Sequence, residues 1–306
     1  MSTKRLTEPS RSQANYLRYK CGINNFSNIR NDVVEIGRYV NSSLQEFPWT
    51  TQIVMKSKST NYSIGICTGS FVAQKWILTA RHCHVIDRDF QMMALVYDEN
   101  ATRELIEVDS THPYPEYDDV YNQNDYMLIK LKNPPRTTPS IVCLPNCDII
   151  PATKRICVFS GWSGGYTDST RFQEMWVEIE DPTTCQSRYC GLKYDVNRNL
   201  CDKTIAGNDQ LLDEEHCHGF SGSPLVCLEH GRWVAYGILN WSGPSCDVTK
   251  GHGSCVRTNP NRHFVKLPFC DTLIIEVLHP YINEERRGIK AKDQQCMDLS
   301  HLFRRQ

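Results

Sequence analysis

Short apolar and β-branched runs separated by turns dominate the chain from Phe47 onward. This pattern predicts strands at residues 49–55, 64–72, 76–79, 93–97, 126–131, 156–162, 175–179, 224–226 and 233–239. Many short strands with few helical stretches favour an all-β barrel or sandwich. The chain shows no internal repeat and no low-complexity segment.

One helix is predicted near the C-terminus, at residues 271–282. Its apolar residues fall on one helical face, and Asp271 is a suitable N-cap. The residues of that face are Leu273, Ile274, Val277, Leu278 and Tyr281. Residues 1–35 are polar and predict a pro-segment or tether, residues 36–282 form the predicted main domain, and residues 283–306 predict a solvated polar tail.

The charge balance is nearly neutral, with 34 Lys and Arg against 35 Asp and Glu. A net charge of −1 gives no electrostatic basis for binding nucleic acid or anionic membranes. The sequence contains no run of 18 apolar residues, so no transmembrane helix is predicted.

Fifteen cysteines predict an oxidising, extracellular compartment. Five Asn-x-Ser/Thr triplets agree as candidate glycan acceptors, although such short motifs also recur by chance: Asn25, Asn41, Asn61, Asn100 and Asn240. Residues 1–20 contain basic residues and no apolar stretch, so no signal peptide is visible there. We expect secretion on the strength of the cysteines, with the leader absent from this sequence.

The candidate chemistry centres on a small-residue turn in which Ser221 lies between Gly219 and Gly222. Flanking glycines let the backbone bend so that a hydroxyl points outward and N–H groups converge in front of it. Such a serine needs a base and an acid that orients the base. His82 and Asp125 are the candidates for these two roles.

Three sequence contexts carry a resemblance to a known family. They are Thr79-Ala80-Arg81-His82-Cys83, Asn124-Asp125-Tyr126-Met127-Leu128 and Gly219-Phe220-Ser221-Gly222-Ser223-Pro224-Leu225-Val226-Cys227. In this order they resemble the chymotrypsin/trypsin family of serine peptidases over about residues 36 to 282. The Leu6-Thr7-Glu8 and Cys21-Gly22 steps also resemble a nematode-type secreted trypsin-like family.

The resemblance implies two packed six-stranded antiparallel β-barrels with a C-terminal helix and the active cleft between the barrels. It implies that His82 and Asp125 come from the first barrel and Ser221 from the second. The backbone N–H groups of Gly219 and Ser221 would form the oxyanion hole, and no cofactor is implied. The implied disulfides are Cys67–Cys83, Cys157–Cys227, Cys185–Cys201, Cys217–Cys246 and Cys21–Cys143, which leave Cys147, Cys190, Cys255, Cys270 and Cys296 unassigned.

Two departures from the family pattern concern activation. The family has an Asp directly before the reactive serine, which pairs with an amino terminus freed by cleavage, whereas this chain has Phe220. The matching amino-terminal stretch is Glu35-Ile36-Gly37-Arg38, without a basic residue before Ile36. Losing both members of a buried ion pair can be neutral, unlike losing one. The chain therefore forms its oxyanion hole in another way or does not form it.

The implied specificity pocket is also unusual. Its predicted residues are Glu215, Asn240, Trp241, Ser242 and Gly253. Glu215 occupies the position where trypsin-like enzymes have an Asp that selects Arg or Lys. It would either select Arg or Lys with its longer side chain or pair with His216. Ser242 would narrow the pocket entrance, and a glycan on Asn240 would block it.

A metal site at His82-Cys83-His84 or His216-Cys217-His218 is disfavoured. The resemblance assigns both cysteines to disulfides, and adjacent residues on a strand point to opposite faces. No metal is therefore predicted.

Two functions of different classes remain. The first is a secreted serine endopeptidase that acts on protein or peptide substrates and is open to protein inhibitors. The second is a catalytically inactive protease homologue that binds a partner protein in the cleft that holds the active site in the enzymes of the family. The triad and Gly219 favour the enzyme, whereas Phe220, Ser223, Asn240, Ser242 and the missing activation site favour the binder.

Overall fold

The computed structural model describes residues 21–24, 36–37, 39–98, 101–118, 123–145, 151–164, 171–188, 195, 198–203, 219–243 and 261–266. All of them belong to the first of two compact units, Met1–Phe269. The predicted helix at 271–282 and the predicted tail lie outside the described residues. Within the described part of the chain, no helix is long and apolar enough to span a membrane.

Six strands close into an antiparallel barrel. They are β2 (Thr50–Ser57), β3 (Ser63–Ala73), β4 (Trp76–Thr79), β5 (Phe90–Tyr97), β6 (Arg103–Pro113) and β7 (Met127–Leu131). Their order around the barrel is β2-β3-β4-β7-β6-β5. Apolar residues fill its interior, including Trp49, Ile53 and Ile77, all at 0 % exposure.

The remaining strands form a second, seven-stranded sheet. They are β1 (Tyr39–Asn41), β8 (Ile156–Ser163), β9 (Arg171–Glu178), β10 (Asn199–Cys201), β11 (Pro224–Glu229), β12 (Arg232–Gly243) and β13 (Asn261–Lys266). The order is β1-β9-β8-β11-β12-β13-β10. One short helix, α1 (Pro182–Arg188), precedes β10.

The fold is therefore the expected mostly-β architecture of a closed six-stranded barrel and a second sheet. The second sheet differs in strand number from the expected six, because β1 of the N-terminal segment adds to the edge of β9. Tyr39 pairs with Met175 in that ladder.

Each predicted strand is present, and all but the strand at Trp76–Thr79 have at least one end shifted by a few residues. The sequence pattern missed β6 because this strand is largely solvated. Only Ile106 of its 11 residues is buried. A strand with one buried position lacks the apolar periodicity on which sequence reasoning depends.

Four of the five implied disulfides are formed: Cys21–Cys143, Cys67–Cys83, Cys157–Cys227 and Cys185–Cys201. The fifth, Cys217–Cys246, lies outside the described residues. Cys21–Cys143 ties the N-terminal segment to the body of the unit. Each bridge stabilises the fold by roughly 2–4 kcal/mol, chiefly by restricting the unfolded chain.

Candidate active site

His82 and Asp125 are brought together by two paired strands. His82 lies in a short 3₁₀ helix, Arg81–Cys83, directly after β4, and Asp125 lies two residues before β7. Because β4 and β7 are antiparallel, with Thr79 opposite Met127, the end of one strand adjoins the start of the other. The Cys67–Cys83 bridge also ties the 3₁₀ helix to β3.

The Asp125 carboxylate binds His82 at two points. Oδ2 lies 2.6 Å from His82 Nδ1, and Oδ1 accepts from the His82 backbone N–H at 2.7 Å. The Asp125 side chain is fully buried, whereas that of His82 is 31 % exposed. Because a carboxylate accepts at Nδ1, the proton lies on Nδ1 and Nε2 is left with its lone pair. The imidazole is thus fixed in the tautomer that acts as a base.

Asn124 shapes the turn that presents Asp125. Its φ of 55° lies in the left-handed region, which Asn tolerates better than most residues. Its side-chain Nδ2 donates to Glu116 O at 2.9 Å. Asn124 therefore fixes the backbone before Asp125 in two ways.

The loop that contains Ser221 is compact and includes two glycines with positive φ, Gly219 at 102° and Gly222 at 85°. A side chain at Gly222 would meet Thr68 O and Thr79 Oγ1 as well as adopt a strained backbone. Gly222 N–H donates to Leu239 O at 2.8 Å, and Ser223 N–H donates to Phe220 O at 2.9 Å. Serine 221 is thereby held in a tight turn against the barrel.

Ser221 lies against the disulfide next to His82. Its carbonyl oxygen is 3.9 Å from Cys83 Sγ, and since a disulfide sulfur has no proton, this is a van der Waals contact. The same oxygen accepts from Thr68 N–H at 2.8 Å. Among the described residues, no hydrogen bond joins the Ser221 hydroxyl to His82. Nucleophile–base distances are often longer before substrate binds, so this geometry is compatible with a working pair.

The two amides expected to bind an oxyanion are those of Gly219 and Ser221. In the part of the chain that the structure describes, neither N–H donates to a backbone acceptor. Both amides belong to the same tight turn.

Phe220 has a structural role of its own. Its side chain is 2 % exposed, and its ring lies 5.0 Å from that of Tyr39 and 5.7 Å from that of Phe159. The Phe159 ring also meets the Tyr39 ring edge-on at 6.1 Å. We call these three residues the aromatic cluster. It anchors the residue before Ser221 to strands β1 and β8 by apolar packing.

The N-terminal stretch at Ile36 is held on the second sheet. Ile36 forms a parallel bridge with Trp176, and Gly37 N–H donates to Trp176 O at 2.8 Å. Three residues later, Tyr39 of β1 enters the aromatic cluster. The N-terminal stretch is thus coupled to the serine loop through rings rather than through a charge.

Most of the expected specificity pocket lies outside the described residues, namely Glu215, Gly253 and the side chains of Trp241 and Ser242. Asn240 is described and is only 4 % exposed. This burial disfavours Asn240 as a glycan acceptor, because a buried amide leaves little room for a sugar. Asn41 and Asn61 are exposed in the structure.

The described part of the site offers few ligands for a metal ion. Cys67, His82 and Cys83 offer atoms within 4.8 Å of one another, but the two sulfurs are joined in a disulfide and supply no thiolate. His84 shares a hydrogen bond of 3.3 Å with Thr111. Burial, and secondarily the charge of Arg81, lowers the pKa of His84 below its ordinary value of 6.5. His84 therefore stays uncharged near neutral pH.

Three residues were missed by sequence reasoning: Thr68, Asn124 and Tyr39. Thr68 directly follows Cys67 and Asn124 directly precedes Asp125, but no pattern in the sequence predicted their contacts. Thr68 and Tyr39 act through contacts over a long separation in the chain, which exist only in the fold, and Asn124 acts through a turn conformation and a bond to Glu116 O eight residues earlier.

Comparison with protein families agrees with this site. The family model described as Trypsin matches residues 36–265. The match covers three quarters of the chain and contains His82, Asp125 and Ser221. It does not bear on the resemblance to a nematode-type group.

Proposed function

Because the chain belongs to the trypsin family of serine peptidases, we propose that it is a secreted endopeptidase. Ser221, His82 and Asp125 hydrolyse peptide bonds through an acyl-enzyme. The observation that carries this proposal is the 2.6 Å contact between His82 Nδ1 and Asp125 Oδ2 next to the Ser221 loop. That contact leaves His82 Nε2 as the acceptor for a serine proton.

The reaction follows from the roles of the three groups. Ser221 Oγ attacks the peptide carbonyl carbon while its proton moves to His82 Nε2, and the carbonyl oxygen becomes an oxyanion. Collapse of the tetrahedral intermediate breaks the C–N bond, and His82 gives its proton to the leaving amine. Water then attacks the acyl carbon while His82 takes one of its protons, and as the ester C–O bond breaks His82 returns that proton to Ser221 Oγ and the acid product leaves. No cofactor is needed.

Asp125 contributes orientation and charge. The backbone N–H and the ring Nδ1–H of His82 both donate to the Asp125 carboxylate, which fixes the ring relative to the backbone. When His82 takes up the proton, the buried carboxylate stabilises the imidazolium. Full burial of the Asp125 side chain strengthens this interaction by excluding water.

Gly219 N–H and Ser221 N–H bind the oxyanion. Losing one such donor typically costs about 2.7–4 kcal/mol in the barrier. In this chain the aromatic cluster supports the serine loop where the family uses an ion pair. The intact chain therefore needs no cut before Ile36 to order the loop, which is consistent with the absence of a basic residue there.

The alternative is an inactive homologue that binds a partner protein in the cleft. The absence of a Ser221–His82 hydrogen bond among the described residues favours it, as does the loss of the Asp–amino terminus pair. The well-formed His82–Asp125 pair disfavours it, since a binding surface needs no oriented imidazole. We therefore place the enzyme first.

A fluorophosphonate probe separates the two functions. Ser221 Oγ attacks phosphorus, fluoride leaves, and the serine proton passes to His82, so labelling needs both residues. The enzyme predicts labelling at Ser221 of the purified chain, with none in Ser221→Ala. Folded protein without labelling supports the binder. Mass spectrometry of the same sample shows whether the bond between Glu35 and Ile36 is cut, and the account expects labelling of the uncut chain.

Four disulfides and the family fit an extracellular protein. Secretion and glycosylation complete the proposal. Among the described acceptors, Asn61 lies in the exposed turn between β2 and β3 and Asn41 ends β1. Enzymatic deglycosylation of the secreted protein should convert acceptor asparagines to aspartates, with Asn240 unchanged. Conversion at Asn240 or at no site would contradict this assignment.

A further inference from the structure

Thr68 is a buried threonine of β3 whose hydroxyl crosses from the barrel to the serine loop. Its side chain is fully buried. Oγ1 lies 2.8 Å from Gly219 O and accepts from Trp162 N–H at 3.0 Å. A hydroxyl has one proton, and the Trp162 amide can only donate, so that proton points to Gly219 O. The direction of the Thr68–Gly219 bond is therefore fixed.

Three consecutive carbonyl groups of the serine loop are each held by a hydrogen bond. Gly219 O accepts from Thr68 Oγ1, Phe220 O from Ser223 N–H at 2.9 Å, and Ser221 O from Thr68 N–H at 2.8 Å. Because a peptide group is planar, the bond to Gly219 O also fixes the direction of Phe220 N–H, and the bond to Phe220 O fixes that of Ser221 N–H. Thr68 supplies two of the three bonds.

Gly219 is one of the two glycines of the loop, and its carbonyl is held by the Thr68 side chain. It is a glycine at φ 102°, and glycine has more accessible conformations than any other residue. The backbone bond from Thr68 N–H fixes Ser221 and would form with any non-proline residue at 68. Among the described residues, the hydroxyl is the group that hydrogen-bonds to Gly219 O and so fixes the Gly219–Phe220 peptide, which lies between the two proposed oxyanion donors, Gly219 N–H and Ser221 N–H.

Thr68 also contacts the strand that leads to His82. Thr79 Oγ1 donates to Thr68 O at 2.7 Å, and Thr79 is the last residue of β4. One residue thus joins the serine loop to the strand that precedes the base.

We infer that Thr68 is a positioning residue, whose side-chain hydroxyl fixes the Gly219–Phe220 peptide so that the Gly219 and Ser221 amides on either side of it point to one oxyanion. The inference rests on the proposed function for the role of these amides. The hydrogen bond itself does not depend on that function.

The chain offers matched variants. Thr68→Val keeps the shape and leaves Gly219 O and Trp162 N–H buried without the hydroxyl. Thr68→Ser keeps the hydroxyl. Ser70→Ala is the site control, since Ser70 lies two residues along β3 on the same face, is 1 % exposed, and its Oγ has no partner among the described residues.

The experiment uses the full chain and two readouts. Amide hydrogen exchange of a peptide covering residues 219–226 reports the order of the loop, with a peptide from β5–β6 as a check that the fold is intact. The second-order rate of fluorophosphonate labelling, with kcat and KM on a peptide substrate, reports the oxyanion hole. Thr68→Ala replaces Thr68→Val if the valine variant does not fold.

Thr68→Val should raise exchange in the loop and lower both the labelling rate and kcat about tenfold, less than outright loss of a donor, while KM stays nearly constant. Thr68→Ser and Ser70→Ala should match the wild type in both readouts. Unchanged loop exchange, or raised exchange with unchanged labelling, overturns the inference. If wild-type Ser221 does not react, the proposed function fails, and loop exchange in Thr68→Val alone decides whether Thr68 holds the loop.

Discussion

The two halves of the candidate active site are stabilised by different forces. The His82–Asp125 half depends on two short hydrogen bonds to a buried carboxylate. The Ser221 half depends on the packing of Phe220 with Tyr39 and Phe159 and on neutral hydrogen bonds from β3.

The difference follows from what each half has to do. A base must have a defined tautomer and must stabilise a charge, which only directional polar contacts provide. An oxyanion hole needs backbone amides in fixed positions, and apolar packing can hold a backbone as firmly as an ion pair does. The serine half can therefore lose its charged pair and keep its shape, whereas the His82 half cannot.

The largest predicted effect comes from removing the nucleophile or the base. Ser221→Ala and His82→Ala should each lower kcat by about 10⁶, and the double variant should fall no further because the two residues act as one unit. Steady-state hydrolysis of a peptide substrate measures this. A double variant that is far slower than either single one would mean that the residues act independently.

The next effect concerns the orienting acid. Asp125→Asn should lower kcat about 10⁴-fold, because an amide toward Nδ1 favours the tautomer whose Nε2 carries the proton. Asp109→Asn is the matched control, since Asp109 is 47 % exposed and forms an ion pair of 3.3 Å with Lys130. Hydrolysis near neutral pH gives the comparison. Equal losses in both variants would remove Asp125 from the mechanism.

The aromatic cluster is tested by stability as well as by activity. Phe220→Ala should lower the free energy of unfolding by about 3–5 kcal/mol because it leaves a cavity next to Tyr39 and Phe159. Phe220→Leu should cost less, under about 1.5 kcal/mol. Urea unfolding with disulfides intact measures both. A loss below about 1 kcal/mol in Phe220→Ala would show that the ring does not anchor the loop.

The turn before Asp125 is tested by changing Asn124. Asn124→Ala should cost about 2 kcal/mol, from strain at positive φ and from the lost bond to Glu116 O. Asn124→Gly keeps the backbone freedom and should cost about 1 kcal/mol. Denaturant unfolding ranks the two variants. The reverse ranking would mean that the backbone conformation is not what Asn124 supplies.

The smallest effect is a pH dependence of stability from His84. The pKa of His84 is below 6.5 in the folded protein because of burial and Arg81, so the unfolded chain binds its proton more readily. Stability from this residue is complete above pH 6.5 and is lost as the pH falls through the folded pKa. His84→Gln should therefore flatten the loss of stability below pH 6.5. The same dependence of stability on pH below 6.5 in both proteins would contradict this. His112, whose pKa is lowered by burial and by Lys130, is present in both proteins and so contributes equally to each.

Much of the fold was predictable from the sequence because buried strands carry strong apolar patterns. The strand at Trp76–Thr79 was predicted with its observed ends. The solvated β6 was not predicted, because one buried residue in 11 leaves no pattern. The pairing of β1 with β9 was also missed, because a three-residue strand is too short to show a pattern that indicates its partner.

The candidate site divides in the same way. His82, Asp125 and Ser221 stand in recognisable contexts, so their roles could be proposed from the sequence. That Phe220 would pack on Tyr39, 181 positions earlier, could not. Nor could the bond from Thr68 to Gly219, because a lone threonine in a buried strand usually signals nothing beyond β-propensity.

Trapping of an acyl-enzyme tests the central claim most directly. The uncut chain would be mixed with an activated ester substrate, quenched with acid during turnover, and digested for mass spectrometry. The account predicts one acyl group on Ser221, none in Ser221→Ala, and far less in Asp125→Asn than in Asp109→Asn. A folded chain that carries no acyl group on Ser221, or that gains one only after cleavage before Ile36, would contradict it.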